Sequence, residues 1–254
     1  MEKDMPVLPE YELSGQVAVF ATSGGDEAPF LAGALAEAGA SVFAVARTRP
    51  LLDAVMAALP SGSSGAVMNA GSDVSAARVM DELDRRYDRI DILVNDCRSM
   101  YAAPFSEIPQ LAWEEVQTRN VKMPFLLCQQ ALPRMAEREY GRVVNIVSEL
   151  AERGMINGSA FSASQAALLS LTRSLAVEWG RHNIRVNALG TGWIDSTGQP
   201  IEQQLEELLV RYTPLRRKGR PEDLGPLLVY LCSESCDYST GQPVYVDGGL
   251  NAHP

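Results

Sequence analysis

A doubly wound α/β fold, one parallel sheet covered by helices on both faces, is what this sequence predicts, and three observations predict it. Short β-branched or apolar runs alternate with longer stretches whose apolar residues recur at spacings of three and four. The stretches between runs are long enough for the helical crossovers that parallel strands need. At 254 residues the chain suits one large domain with a buried core and is short for two. The expected organisation is an N-terminal extension over residues 1–12 and a single domain over 13–254.

In chain order, the run at 16–20 reads as the first of seven strands, and the periodic stretch 29–38 as the first helix, ended by Gly39. A strand at 41–46, a helix at 51–59 and a strand at 65–69 follow, and Ser75 is placed to cap a helix at 76–87. A strand at 91–95 leads into a long helix at 111–138, and a strand at 142–147 into a second long helix at 159–181. After the strand at 184–189, residues 192–204 lack periodicity and read as a mobile substrate flap. Pro221, Glu222 and Asp223 open a last helix at 221–231 with proline and carboxylates in its first turn, before a strand at 243–246.

An apolar share of 46% and a charged share of 21% are those of an ordinary soluble protein, and no apolar run approaches the length of a membrane span. The N-terminal residues form neither a signal peptide nor a transit sequence, so a cytoplasmic location is expected. The net charge of −10 disfavours nucleic acid and anionic membranes as partners; Arg216, Arg217 and Lys218 form the one tight basic cluster and read as a solvated face. Cys97, Cys128, Cys232 and Cys236 lack zinc spacing and read as reduced structural thiols. With His182 and His253 as the only histidines, a histidine metal site or a Ser-His-Asp relay has little to draw on.

Several segments in order resemble landmarks of the short-chain dehydrogenase/reductases: residues 13–18, Asp73-Val74, 91–95, 141–146, 184–188, 219–223, and Thr240-Gly241-Gln242 with Asp247-Gly248-Gly249. The resemblance implies a single-domain Rossmann-like fold with a seven-stranded parallel sheet. It also exposes three departures. Where the family has a TGxxxGxG turn, Thr22, Asp26 and Ala28 replace its glycines, although Gly24 and Gly25 lie nearby. Asp26 would cap the following helix and repel a diphosphate by on the order of 4 kcal/mol at ~4 Å, roughly a thousandfold in affinity. Where the family has NNAG, Arg98 stands in Asn95-Asp96-Cys97-Arg98 and could pair with Asp26 across the cofactor site.

The third departure concerns the family's acid/base residues. Asn120 and Ser148 match the family's asparagine and serine, but Phe161 stands 13 residues after Ser148 where a tyrosine is usual, and Gln165 four further on where a lysine is usual. A phenyl ring has no proton to give, and an amide carries no charge to tune a neighbour. The leading expectation is therefore a degenerate member: a noncatalytic subunit, binding no cofactor itself, in a heterotetramer with an active, NAD-bearing short-chain dehydrogenase. The chain resembles the inactive partner subunit of heteromeric dehydrogenases, such as the two-subunit enzyme that oxidises a hydroxybenzylsuccinyl-CoA intermediate in anaerobic toluene breakdown. The alternatives are a nicotinamide-independent enzyme, with Glu149, Glu152 and Arg153 as a new catalytic set, and a small-molecule sensor.

Overall fold

The computed structural model describes residues 11–252. Residues 1–10 of the expected N-terminal extension and residues 253–254 lie outside them. Strands β1 (Val17–Gly24), β2 (Ser41–Ala46), β3 (Ser64–Val67), β4 (Ile92–Cys97), β5 (Gly141–Ser148), β6 (Ile184–Thr191) and β7 (Pro243–Val246) form one parallel sheet in the order β3-β2-β1-β4-β5-β6-β7. The helices are α1 (Ala28–Glu37), α2 (Arg49–Ala57), α3 (Asp73–Tyr87), α4 (Gln110–Gln117), α5 (Met123–Glu137), α6 (Ser159–Trp179), α7 (Ile201–Gln204), α8 (Leu208–Tyr212) and α9 (Pro221–Cys232). This is the expected doubly wound, Rossmann-like architecture.

Strand alternation divides the core. Val17, Val19 and Ala21 of β1 join one buried layer with Met80 and Leu83 of α3 and Leu127 and Met135 of α5. Ala18 and Phe20 join the opposite layer with Leu31 and Leu35 of α1 and Leu224 and Leu228 of α9. Both faces of the sheet are thus covered, which is why its strands read as nearly continuous apolar runs.

Local differences from the expected elements have identifiable causes. The long helix expected at 111–138 is interrupted between α4 and α5 by a π turn over Thr118–Lys122. Pro124, in the first turn of α5, has no N–H to give to the carbonyl of Asn120, so the helical ladder is reset there. Ser72, not Ser75, caps α3, accepting from Ser75 N–H at 3.1 Å, while Ser75 Oγ accepts from Asn69 N–H at 2.9 Å. The expected end of α1 at Gly39 (φ +100°) and the opening of α9 at Pro221 are both found, the latter with Asp223 Oδ2 accepting from Arg220 N–H at 2.9 Å. Within residues 192–204 only α7 is helical, and α8 carries no periodicity long enough to read from sequence. All four cysteines are unpaired and buried. Among the described residues, no helix is long and apolar enough to cross a membrane.

Candidate active site

The sheet order reverses between β1 and β4, and an open α/β sheet has its binding crevice outside the carboxyl ends of the strands at such a point. There a cavity of about 230 Å³ is lined by Gly24, Arg98, Ser148, Glu149, Phe161 and Thr191, among others.

Register explains how the crevice is built. Thr22 pairs with Asp96, and a bulge then sets Gly24 against Cys97, so β1 bends away as it leaves the sheet. Gly24 and Gly25 carry the bend at φ +140° and +134°, a backbone region that disfavours side chains. A side chain at Gly24 would meet open space, so it is the backbone conformation rather than crowding that calls for glycine. Thr22 is buried within the strand, its Oγ1 accepting from Gly24 N–H at 3.2 Å. Ala28 is buried at the start of α1 as core. Asp26 is exposed, accepts from Ser196 Oγ at 3.3 Å and makes no capping bond to α1. None of these three residues lines the cavity. The obstruction expected from them is therefore not found: the turn keeps two glycines, and a solvated carboxylate at Asp26 repels an anion by only about 1 kcal/mol.

Arg98 occupies the crevice, but its partner is not the expected Asp26. Nη2 donates to Glu27 Oε1 at 2.6 Å, Nε to Asp96 Oδ1 at 2.8 Å, and Nη1 to Thr191 Oγ1 at 2.8 Å. The guanidinium side chain is 10% exposed and Asp96 fully buried. Burial pushes the Asp96 carboxyl up, against the pull of Arg98. Burial also works against the Arg98 charge, yet Asp96 and Glu27 outweigh it and hold that group above its ordinary value.

On the other wall, Gln165 Oε1 accepts from the Ser148 backbone N–H at 2.9 Å, and its buried Nε2 has no partner. Phe161, 3% exposed, faces the cavity as an apolar wall. Asn120, in the π turn, accepts from Ser99 N–H at 2.8 Å and donates to Ser164 Oγ at 2.9 Å, which fixes α6 and the segment after β4 to each other. Ser148 Oγ donates to Glu149 Oε2 at 3.1 Å and accepts from Leu150 N–H at 3.2 Å. Of the alternative catalytic set, only Glu149 lines the cavity. Glu152 is exposed and paired with Arg173 at 3.9 Å, and Arg153 donates to the Leu250 carbonyl.

A family described as enoyl-(acyl carrier protein) reductase matches residues 28–251. A 3-oxoacyl-(acyl-carrier-protein) reductase of Aquifex aeolicus is 30% identical over 95% of this chain and 99% of its own. The chain belongs to the short-chain dehydrogenase/reductase family. Among solved structures, a gluconate 5-dehydrogenase of Burkholderia cenocepacia in complex with NADP and tartrate is 25% identical, with TM-score 0.86 over 96% of this chain and 98% of that one. A protein of Beutenbergia cavernae taken for an NAD(P) dependent gluconate 5-dehydrogenase, with NADP bound at low occupancy, is 32% identical, with TM-score 0.84 over 96% and 99%.

These relatives correct the leading expectation. A short-chain dehydrogenase/reductase whose likeness to reductases runs nearly end to end, and whose relatives carry NADP in the matching chain, is not a degenerate member. The noncatalytic subunit, the nicotinamide confined to a partner, the hydroxyacyl-CoA assignment and the nicotinamide-independent alternative fall together. Of the departures, the glycine pattern is the one the structure reads differently: Thr22, Asp26 and Ala28 do not line the cavity and Gly24 and Gly25 carry the turn, while Arg98 does stand in the crevice, paired with Glu27.

Sequence reasoning also missed residues of this short-chain dehydrogenase/reductase. Glu27 was passed over for its neighbour Asp26, since spacing alone does not say which of two adjacent carboxylates turns inward. Arg47, directly after β2, has its Nε buried without a partner. Arg119, in the π turn, donates to Ser99 Oγ at 3.2 Å, and burial and then the charge of Arg47 hold its guanidinium below the ordinary value. A basic residue closing the second strand was a readable signal for Arg47.

Proposed function

We propose that the chain is an NADP-dependent oxidoreductase that interconverts a hydroxyl and a carbonyl on a small polyhydroxy acid. One observation carries this reading: at the carboxyl end of β2, Arg47 has a buried Nε without a partner, and its charge bears on a second cation, Arg119, whose other partners are Ser99 and Glu115. A buried donor without a partner beside a second cation calls for an anion, and guanidinium groups suit phosphate. In this fold an arginine near that position accommodates the 2′-phosphate of NADP. NADP in the Burkholderia and Beutenbergia relatives supports the same assignment.

The residues present fit the cofactor. Gly24 leaves open backbone for a diphosphate, whereas the space beside Gly25 is held by the Glu27 carboxylate; Arg98 would exchange Glu27 for a diphosphate oxygen, and Arg47 with Arg119 would hold the 2′-phosphate. When bound, the cofactor supplies or accepts the hydride. The chain's own residues do the rest. Ser148 Oγ, fixed by the Leu150 N–H and by Gln165 behind its backbone, orients the substrate oxygen. The Nε2 of Gln165 is a second buried donor without a partner in the same wall. Phe161 and Leu150 exclude water.

The test is oxidation of D-gluconate with NADP, and reduction of the corresponding 5-keto acid with NADPH, by the purified chain. Turnover that favours NADP over NAD is expected; absence of any cofactor-coupled oxidation or reduction across a panel of sugar acids and their keto forms overturns the reading.

A further inference from the structure

Phe161 leaves the cavity without a phenol, so the proton that a carbonyl oxygen gains on reduction comes from another side chain or from water. Two carboxyls line the cavity, Glu27 and Glu149. Glu27 is held in the ion pair with Arg98 at 2.6 Å. Glu149 has no ion pair among the described residues, is 2% exposed, and stands 3.1 Å from Ser148 Oγ. It follows β5 directly, so the same strand end that presents the serine presents the carboxyl.

We infer that Glu149 stores the proton that Ser148 Oγ delivers to the substrate oxygen. The inference rests on the oxidoreductase reading for its substrate, but not for the protonation of Glu149 itself. In the reducing direction the carbonyl carbon gains the hydride that reduced cofactor supplies. Its oxygen takes the proton from the Ser148 hydroxyl as that O–H bond breaks. Ser148 Oγ is reprotonated by the Glu149 carboxyl, and the resulting carboxylate takes a proton from solvent. In the oxidising direction each transfer reverses. The hydroxyl can donate or accept along the same contact because its hydrogen rotates about the Cβ–Oγ bond.

The surroundings suit a carboxyl that holds a proton. Burial pushes Glu149 above the usual carboxylate range, against its own backbone N–H and the Ser148 hydroxyl. Asp247 raises it further and Arg153 lowers it, but Arg153 spends Nη1 on the Leu250 carbonyl. Tyr245 of β7 faces the same carboxyl and Glu152, and it does not line the cavity. A general acid whose pKa approaches the working pH is the better placed to give its proton.

Infrared difference spectroscopy of the full chain without substrate, wild type against Glu149→Gln, reads the carboxyl directly. A protonated-carboxyl band that persists above the pH at which an ordinary glutamate ionises, vanishes in E149Q and shifts in S148A is expected. Absence of such a band at about pH 5 and above overturns the inference, whether or not the chain turns over sugar acids. Single-turnover oxidation of NADPH by the 5-keto acid supplies the second readout. E149Q slows it by roughly 100-fold or more and removes the alkaline fall of the pH profile, and Glu149→Asp restores part of both. Glu152→Gln, on the surface, leaves rate and profile in place. Unchanged rate and profile in E149Q sink the relay while leaving the oxidoreductase reading intact.

Discussion

Arg98 Nη2 meets Glu27 Oε1 at 2.6 Å across the crevice between the first and fourth strands, closing with an ion pair the passage a diphosphate would follow. Glu27 and an incoming diphosphate compete for the same guanidinium. Glu27→Gln removes the competitor, so NADP affinity measured by calorimetry should rise, by roughly tenfold for a gain of about 1.4 kcal/mol. Arg98→Met should instead lower affinity and, by leaving Asp96 buried without its cation, cost about 3–5 kcal/mol in urea unfolding.

Arg47 decides between the two nicotinamide cofactors. Arg47→Ala removes a charge-assisted bond to the 2′-phosphate worth about 2 kcal/mol, so the preference for NADP over NAD should fall roughly thirtyfold, with NAD affinity unchanged. Titration of the variant with each cofactor checks it.

Stability should depend on pH through Asp96 and Glu149, both pushed up by burial. A carboxyl whose pKa is higher folded than unfolded contributes stability that is fully present below its unfolded value, about 4. That contribution is lost as pH rises through the folded value. Denaturant midpoints of the wild type should therefore decline as pH climbs from about 4 towards neutrality, and the decline should be shallower in E149Q, where the group no longer titrates. An equal slope in both proteins would show that Glu149 does not contribute.

Gly24 at φ +140° should not tolerate a side chain, despite the open space beside it. Gly24→Ala should cost about 1–3 kcal/mol through backbone strain alone. Gly33, within α1 and facing only an ordinary contact to the Ala58 carbonyl at 3.7 Å, should gain about 0.5–1 kcal/mol on replacement by Ala. Urea midpoints of the two variants should move in opposite directions.

The sheet was legible because burial on both faces writes strands as apolar runs, and every strand lay within a few residues of its expected place. The site was legible in part. Ser148, Phe161 and Gln165 stand together at the carboxyl end of β5, as the family resemblance implied, with Asn120 tied to the same helix through Ser164. Whether Asp26 or Glu27 turns inward depends on the bulge at Thr22 and Gly24, a tertiary feature with no sequence period. The break in the long helix came from Pro124, visible in the sequence but compatible with a helix start as well as a kink. The place of Arg47 at the end of the second strand is readable in the sequence, whereas its partnerless Nε is a property of three-dimensional packing.

Calorimetric titration of the purified chain with NADP tests the central claim most directly. One NADP bound per chain, weakened by Arg47→Ala and strengthened by Glu27→Gln, is the expected result. Failure of the wild type to bind either NADP or NAD at millimolar concentration would contradict it.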